Sequence, residues 1–189
     1  LLVCLAPEVW GFSFIINEKT GLPIKWNPGQ VTMRVLLGST STLIDGSNYN
    51  TSTQVAAETW NAVLGNFKFN PQLAAAAEPT DRNRVNEMAF AADIFGKAFG
   101  DTTLAVTTTW YSGNRRTESD IVFNTKYTWD SYRGVKRTGI VDLQRVAIHE
   151  LGHSLGLDHP DEDAQTVNAV MNSRVSTIDT ITSDDTDGA

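Results

Sequence analysis

The sequence predicts one α+β domain built around a mixed β-sheet, and three observations predict it. Short β-branched and aromatic runs, such as residues 31–37 and 121–124, read as strands and, with one helix, precede the motif-bearing helix. Leu143, Val146, Ala147, Leu151 and Leu155 then fall at helical spacing in a run that starts at Val141. The 189 residues with 41% hydrophobic content suit about one packed domain, without internal repeats.

Residues 1–11, LLVCLAPEVWG, form a short apolar opening that ends in a small residue. We read them as the tail of a signal peptide with a cleavage site near Val9-Trp10-Gly11, an ordinary first strand being the alternative. The domain proper then covers residues 12–189. Residues 12–30 read as an irregular lead-in with turns at Lys19-Thr20-Gly21 and Asn27-Pro28-Gly29. A strand follows at 31–37, then a Ser-, Thr-, Asn- and Gly-rich loop up to 53. The spacing predicts a helix over about 53–64, capped by Ser52 or Thr53. Residues 70–86 contain four alanines between Pro71 and Pro79 and read as an inserted surface loop with at most one helical turn. Strands are expected at 87–94, 104–110 and 121–124. The polar stretch 110–118 reads as a rim loop, with Arg115-Arg116 in solvent. A further loop at 128–139 leads into the helix.

All three histidines of the chain lie in one stretch, HELGHSLGLDHP, as His149, His153 and His159. On a helix, positions i and i+4 share a face, so His149 and His153 can aim two imidazoles at one ion. Gly156 suits a helix end and a sharp turn, and Pro160 discourages helix beyond it, so His159 can return as third ligand. Three protein nitrogens leave zinc an open position for water, the arrangement of catalytic sites. Glu150, beside the first ligand, is the natural general base. The H-E-x-x-H pattern alone also occurs on ordinary helices. Gly156, His159 and the lack of any other histidine favour the metal reading.

The pattern H-E-x-x-H-x-x-G-x-x-H resembles the signature of metzincin metallopeptidases. Ala169-Val170-Met171-Asn172 lies where that family has its methionine turn, which makes Met171 the Met-turn residue by resemblance. More of the chain, from about Trp26 onward, is similar in order to the matrixin branch. Val31-Thr32-Met33-Arg34-Val35 resembles its first strand, 56–63 its first helix and Phe67-Lys68-Phe69 its second strand. Residues 103–107 resemble its cleft-lining edge strand, Asp120-Ile121-Val122-Phe123-Asn124 the next strand, and Ile181-Thr182-Ser183-Asp184-Asp185 the start of its final helix. The resemblance implies a mixed, mostly parallel twisted sheet with an active-site helix and a C-terminal helix. It also implies an extended peptide substrate held by the main chain of Leu104 and Ala105, and a specificity wall running from Asn172 and Ser173 to about Thr177. Arg174 points into that pocket or out into solvent, and we take solvent. Vertebrate matrixins bind a second zinc through histidines where this chain has Val106 and Val122, so one zinc is expected. Asn124 and Tyr127 stand where an acidic calcium pair is usual, so calcium is possible but unsupported. A minimal, bacterial-type matrixin fits best.

A net charge of −7 argues against nucleic acid as partner, and no apolar run is long enough to span a membrane. Cys4 is the only cysteine, so there is no disulfide within the chain. It is either a signal-peptide residue or the remnant of a zinc-ligating pro-segment motif, with Val3 and Leu5 departing from that motif. These readings converge on a secreted, monomeric zinc endopeptidase acting on protein or peptide substrates. The alternatives are a secreted zinc-binding or adhesive module without turnover, and an intracellular protein with an accidental motif.

Overall fold

A computed structural model describes residues 11–189. Cys4 and all of the expected signal remnant except Gly11 lie outside the described residues. The elements follow in the order β1 Ser13–Phe14, β2 Ile16–Asn17, β3 Leu22–Pro23, β4 Gly29–Val35, α1 Tyr49–Val63, β5 Phe67–Leu73 and β6 Asn86–Ala91. They continue with β7 Ala105–Ser112, β8 Arg115–Asn124, β9 Trp129–Asp130, β10 Val141–Asp142, α2 Leu143–Leu155, β11 Leu157–Asp158 and α3 Ser183–Gly188.

The main sheet has five strands in the order β5-β4-β6-β8-β7. Its pairs are parallel except β7 with β8, which makes the sheet mixed and mostly parallel. Strand β7 forms one edge, with its outer side open. Helix α1 packs against β5, α2 against β7 and β8, and the two helices against each other. Trp60 of α1 is fully buried, and its Nε1 donates to Ile148 O of α2 at 2.7 Å. Leu143, Val146, Ala147 and Leu151 face inward, as the helical spacing predicts, against Met33, Met88, Ile121 and Phe123 of the sheet.

Several boundaries differ from expectation for physical reasons. The lead-in is partly ordered: β2 pairs with β3, and β1 pairs with β11 beside the third histidine. Helix α1 starts at Tyr49, ahead of the expected start at 53, and its cap is Asn48. The Asn48 side chain accepts from Thr51 N, while Thr51 Oγ1 accepts from Asn48 N. Ser52 and Thr53, expected as caps, are buried within the helix, where Ser52 Oγ bonds Ser131 Oγ. The presumed insert begins as strand, because β5 runs on through Pro71 to Leu73. Proline, lacking an N–H, is tolerated there because β5 is an edge strand. No helical turn follows it. The largest difference is at 110–118, which is a hairpin with a two-residue Gly113-Asn114 turn. Its strand β8 looks loop-like because it carries Glu118, Ser119 and Asp120, yet all three are buried. Glu118 accepts from Asn83 N and Arg84 N, and Asp120 from Glu87 N, so the polar run clamps the 80–87 segment.

Candidate metal centre and active site

Helix α2 presents His149 and His153 on one face, a turn apart. At Gly156 the backbone reaches a φ of 124°, a conformation that favours glycine, and its N–H caps the helix through Gly152 O and His153 O. A Cβ at Gly156 would meet Ile24 O at 2.9 Å. The reversal leads into β11, whose pairing with β1 holds the chain just before His159. The three imidazoles converge: His159 Nε2 lies 3.1 Å from His149 Nε2 and 3.0 Å from His153 Nε2.

The protonation state of these rings follows from their other nitrogens. His149 Nδ1 donates to Val170 O and His153 Nδ1 to Leu157 O, both at 2.8 Å. Carbonyls only accept, so both Nδ1 atoms carry hydrogen and the Nε2 lone pairs face the centre. Burial pushes the His149 pKa down to about 4 and that of His153 well below its ordinary value, which keeps both rings neutral. Converging nitrogen lone pairs repel unless a cation sits among them. Tetrahedral zinc with bonds of about 2.0–2.1 Å sets ligand edges of about 3.3 Å. The observed separations are close to that, so the residues fit one such ion. These histidines form a metal-compatible group among the described residues.

Met171 is buried directly under this helix. A Cβ on Gly152, between the two helical histidines, would come within 2.2 Å of Met171 Sδ and 3.1 Å of Trp60 Cζ2. The turn at Met171 is fixed from α3. The buried Asp185 carboxylate accepts from Val170 N at 3.0 Å, Met171 N at 3.1 Å and Thr182 N at 2.8 Å. Val170 O is the acceptor for His149, so α3 orients a candidate ligand through one intervening residue.

Glu150 is 5% exposed and opens onto the cleft. Burial raises its pKa to about 7, partly opposed by hydrogen bonds from Thr107. Thr107 Oγ1, on β7, lies 2.6 Å from Glu150 Oε2 and 3.0 Å from Glu150 O. At the other end of the helix stands Arg116, expected in solvent but buried. Its Nη1 donates to His153 O at 2.7 Å and Ser154 O at 2.8 Å, and its guanidinium lies 5.9 Å over the Trp26 ring. The α2 terminus carries the partial negative charge that accommodates this cation.

The cleft holds about 1000 Å³, between the edge strand and the helix. Leu104, Ala105 and Ser173 line it together with Glu150 and the three histidines. Asn172 does not; its Nδ2 donates to Val167 O, behind the wall. Ser173 is tied to Asp161 through both its N and its Oγ. Arg174 is exposed yet lines the cleft, so it stands at the rim rather than apart from the pocket. Val106 pairs with Val122 across β7 and β8. The Asn124 amide bonds Thr103 O and Lys126 N, and the Tyr127 hydroxyl bonds Asp101 O.

Sequence reasoning missed Thr107, Arg116 and Asp185. Thr107 was within reach, because it shares a strand face with Ala105. Thr182-x-x-Asp185 carries a capping-box spacing that would have flagged the aspartate. Nothing local distinguishes Arg116 from its exposed neighbour Arg115.

The sequence model of the matrixin peptidases matches residues 25–189. No curated protein sequence matches. Among solved structures, the GM1-bound form of the ECX AB5 holotoxin is similar at 14% identity with a TM-score of 0.49. The likeness covers 80% of this chain and 61% of that one, so this chain spans less than two thirds of its length.

Proposed function

Because this chain belongs to the matrixin family of metallopeptidases, we propose that it is a secreted zinc endopeptidase with one catalytic ion. The observation that carries the reading is the convergence of three imidazole Nε2 atoms beside a buried carboxylate, on the wall of a cleft bounded by an open sheet edge. No helix among the described residues is long and apolar enough to cross a membrane.

In this reading His149, His153 and His159 hold the ion through Nε2, and Val170 O and Leu157 O keep two of the rings in the required tautomer. When bound, zinc supplies Lewis acidity, polarising a carbonyl and lowering the pKa of a bound water towards about 7. Glu150 accepts the proton of the attacking water at its carboxylate and delivers it to the leaving amide nitrogen. The open edge of β7 pairs with an extended substrate, with the Leu104 and Ala105 main chain supplying the nearest hydrogen-bonding groups. Ser173 forms the facing wall, which Asn172 braces from behind and Asp161 fixes from the side. Met171 supports the helix that carries two ligands. The partner is a protein or peptide substrate, met by a monomer outside the cell.

The test is peptide hydrolysis by the zinc-loaded protein. A zinc chelator abolishes it and zinc restores it. Glu150→Ala abolishes it while leaving one bound zinc per chain by elemental analysis. A chain that binds zinc without hydrolysing any of a broad peptide mixture is instead a binding module. Activity that survives Glu150→Ala removes the general-base assignment.

A further inference from the structure

We infer that Thr107 is a positioning residue for Glu150: its hydroxyl holds the carboxylate in one orientation toward the cleft. The inference rests on the peptidase reading above. Three observations carry it. The Oγ1–Oε2 separation is 2.6 Å, a short hydrogen bond from the hydroxyl to the carboxyl group. Besides the weaker Thr107 backbone N–H, no other donor reaches the Glu150 carboxylate among the described residues, so the hydroxyl is the main restraint on its terminal torsion. The donor itself is rigid. Thr107 is β-branched, sits within strand β7 and pairs with Ile121 of β8.

The hydroxyl has one hydrogen and two acceptors in range, Oε2 at 2.6 Å and the Glu150 carbonyl at 3.0 Å. The shorter contact, to the carboxyl oxygen, is the stronger. The hydroxyl therefore fastens the side chain to the edge strand along which an extended substrate lies, and it leaves Oε1 to meet the water proton. A base that must sit within about 3 Å of its proton loses rate when its orientation spreads.

The assay compares zinc-loaded wild type, Thr107→Val, Thr107→Ser and Thr109→Val on one peptide substrate. Thr107→Val keeps the shape and removes the hydroxyl. The expected result is a kcat about ten- to hundredfold lower with KM within about twofold, as for the loss of one hydrogen bond to a charged group. Thr107→Ser restores most of kcat. Thr109 lies two residues along on the same strand face, and its buried Oγ1 has no hydrogen-bond partner, so Thr109→Val leaves kcat unchanged.

A second readout does not use activity. In a double-mutant cycle of Thr107→Val and Glu150→Ala, followed by urea unfolding at fixed free zinc, the two changes are coupled by about fivefold or more in the unfolding constant. A wild-type kcat in Thr107→Val, or a coupling near one, overturns the inference. A wild type that hydrolyses nothing overturns the peptidase reading, and the coupling then still decides whether Thr107 holds Glu150.

Discussion

Replacing Asp185 with alanine tests whether the metal centre depends on α3. The carboxylate is buried and accepts from Val170 N and Met171 N at 3.0 and 3.1 Å, besides capping its own helix at Thr182. Truncation leaves two buried backbone N–H groups without an acceptor. Each bond to a charged group is worth about 1.5–3 kcal/mol, so the loss is about 3–6 kcal/mol. That is a large fraction of the roughly 5–15 kcal/mol that stabilises a domain. With a urea slope of about 2 kcal/mol/M, the unfolding midpoint falls by about 1.5–3 M. Val170 O also holds His149 Nδ1, so zinc affinity, measured by competition with a chromophoric chelator, falls by about 10–100-fold. Asp185→Asn does little better, because its amide group turns a donor toward one of the two backbone donors. A midpoint shift under about 0.5 M together with an unchanged zinc affinity would refute the reasoning.

Two further outcomes follow from the same geometry. Gly156→Ala forces a Cβ to 2.9 Å from Ile24 O at a φ of 124°, so stability falls by about 1–3 kcal/mol and zinc binds more weakly, readable by the same two assays. Asp120 is buried beside Glu118 and Glu87, and burial is the main cause that raises its pKa from 3.8 to about 8. The folded state therefore binds more protons than the unfolded state between those values, and stability falls as pH rises through that window. Asp120→Asn removes this dependence. Its melting temperature relative to wild type rises from pH 5 to about 8 and then levels off; a flat difference contradicts the assignment.

The convergence of the three histidines was legible in the sequence because its geometry is local. His149, His153, Gly156 and His159 are placed by one helix and one turn, whose periodicities are written in adjacent letters. The mixed sheet was legible as a class, through its apolar strands. Strand β8 was not, because its buried Glu118 and Asp120 find partners in a segment more than thirty residues earlier, and a polar run without visible partners reads as loop. Arg116 failed for the same reason. Its acceptors are helix carbonyls that only the β7–β8 hairpin brings within reach. Asp185 could be read as a helix cap, but its grip on Val170 and Met171 is tertiary.

Gly152 gives the motif a different meaning. Written as H-E-x-x-H, the pattern leaves its fourth position unspecified, as though any residue would serve. Here a single added carbon at that position would sit 2.2 Å from the Met171 sulfur and 3.1 Å from Trp60 Cζ2. The unnamed letter is thus constrained as well, by volume instead of by valence. Two elements distant in the chain, the first helix and the methionine turn, both press on that one position.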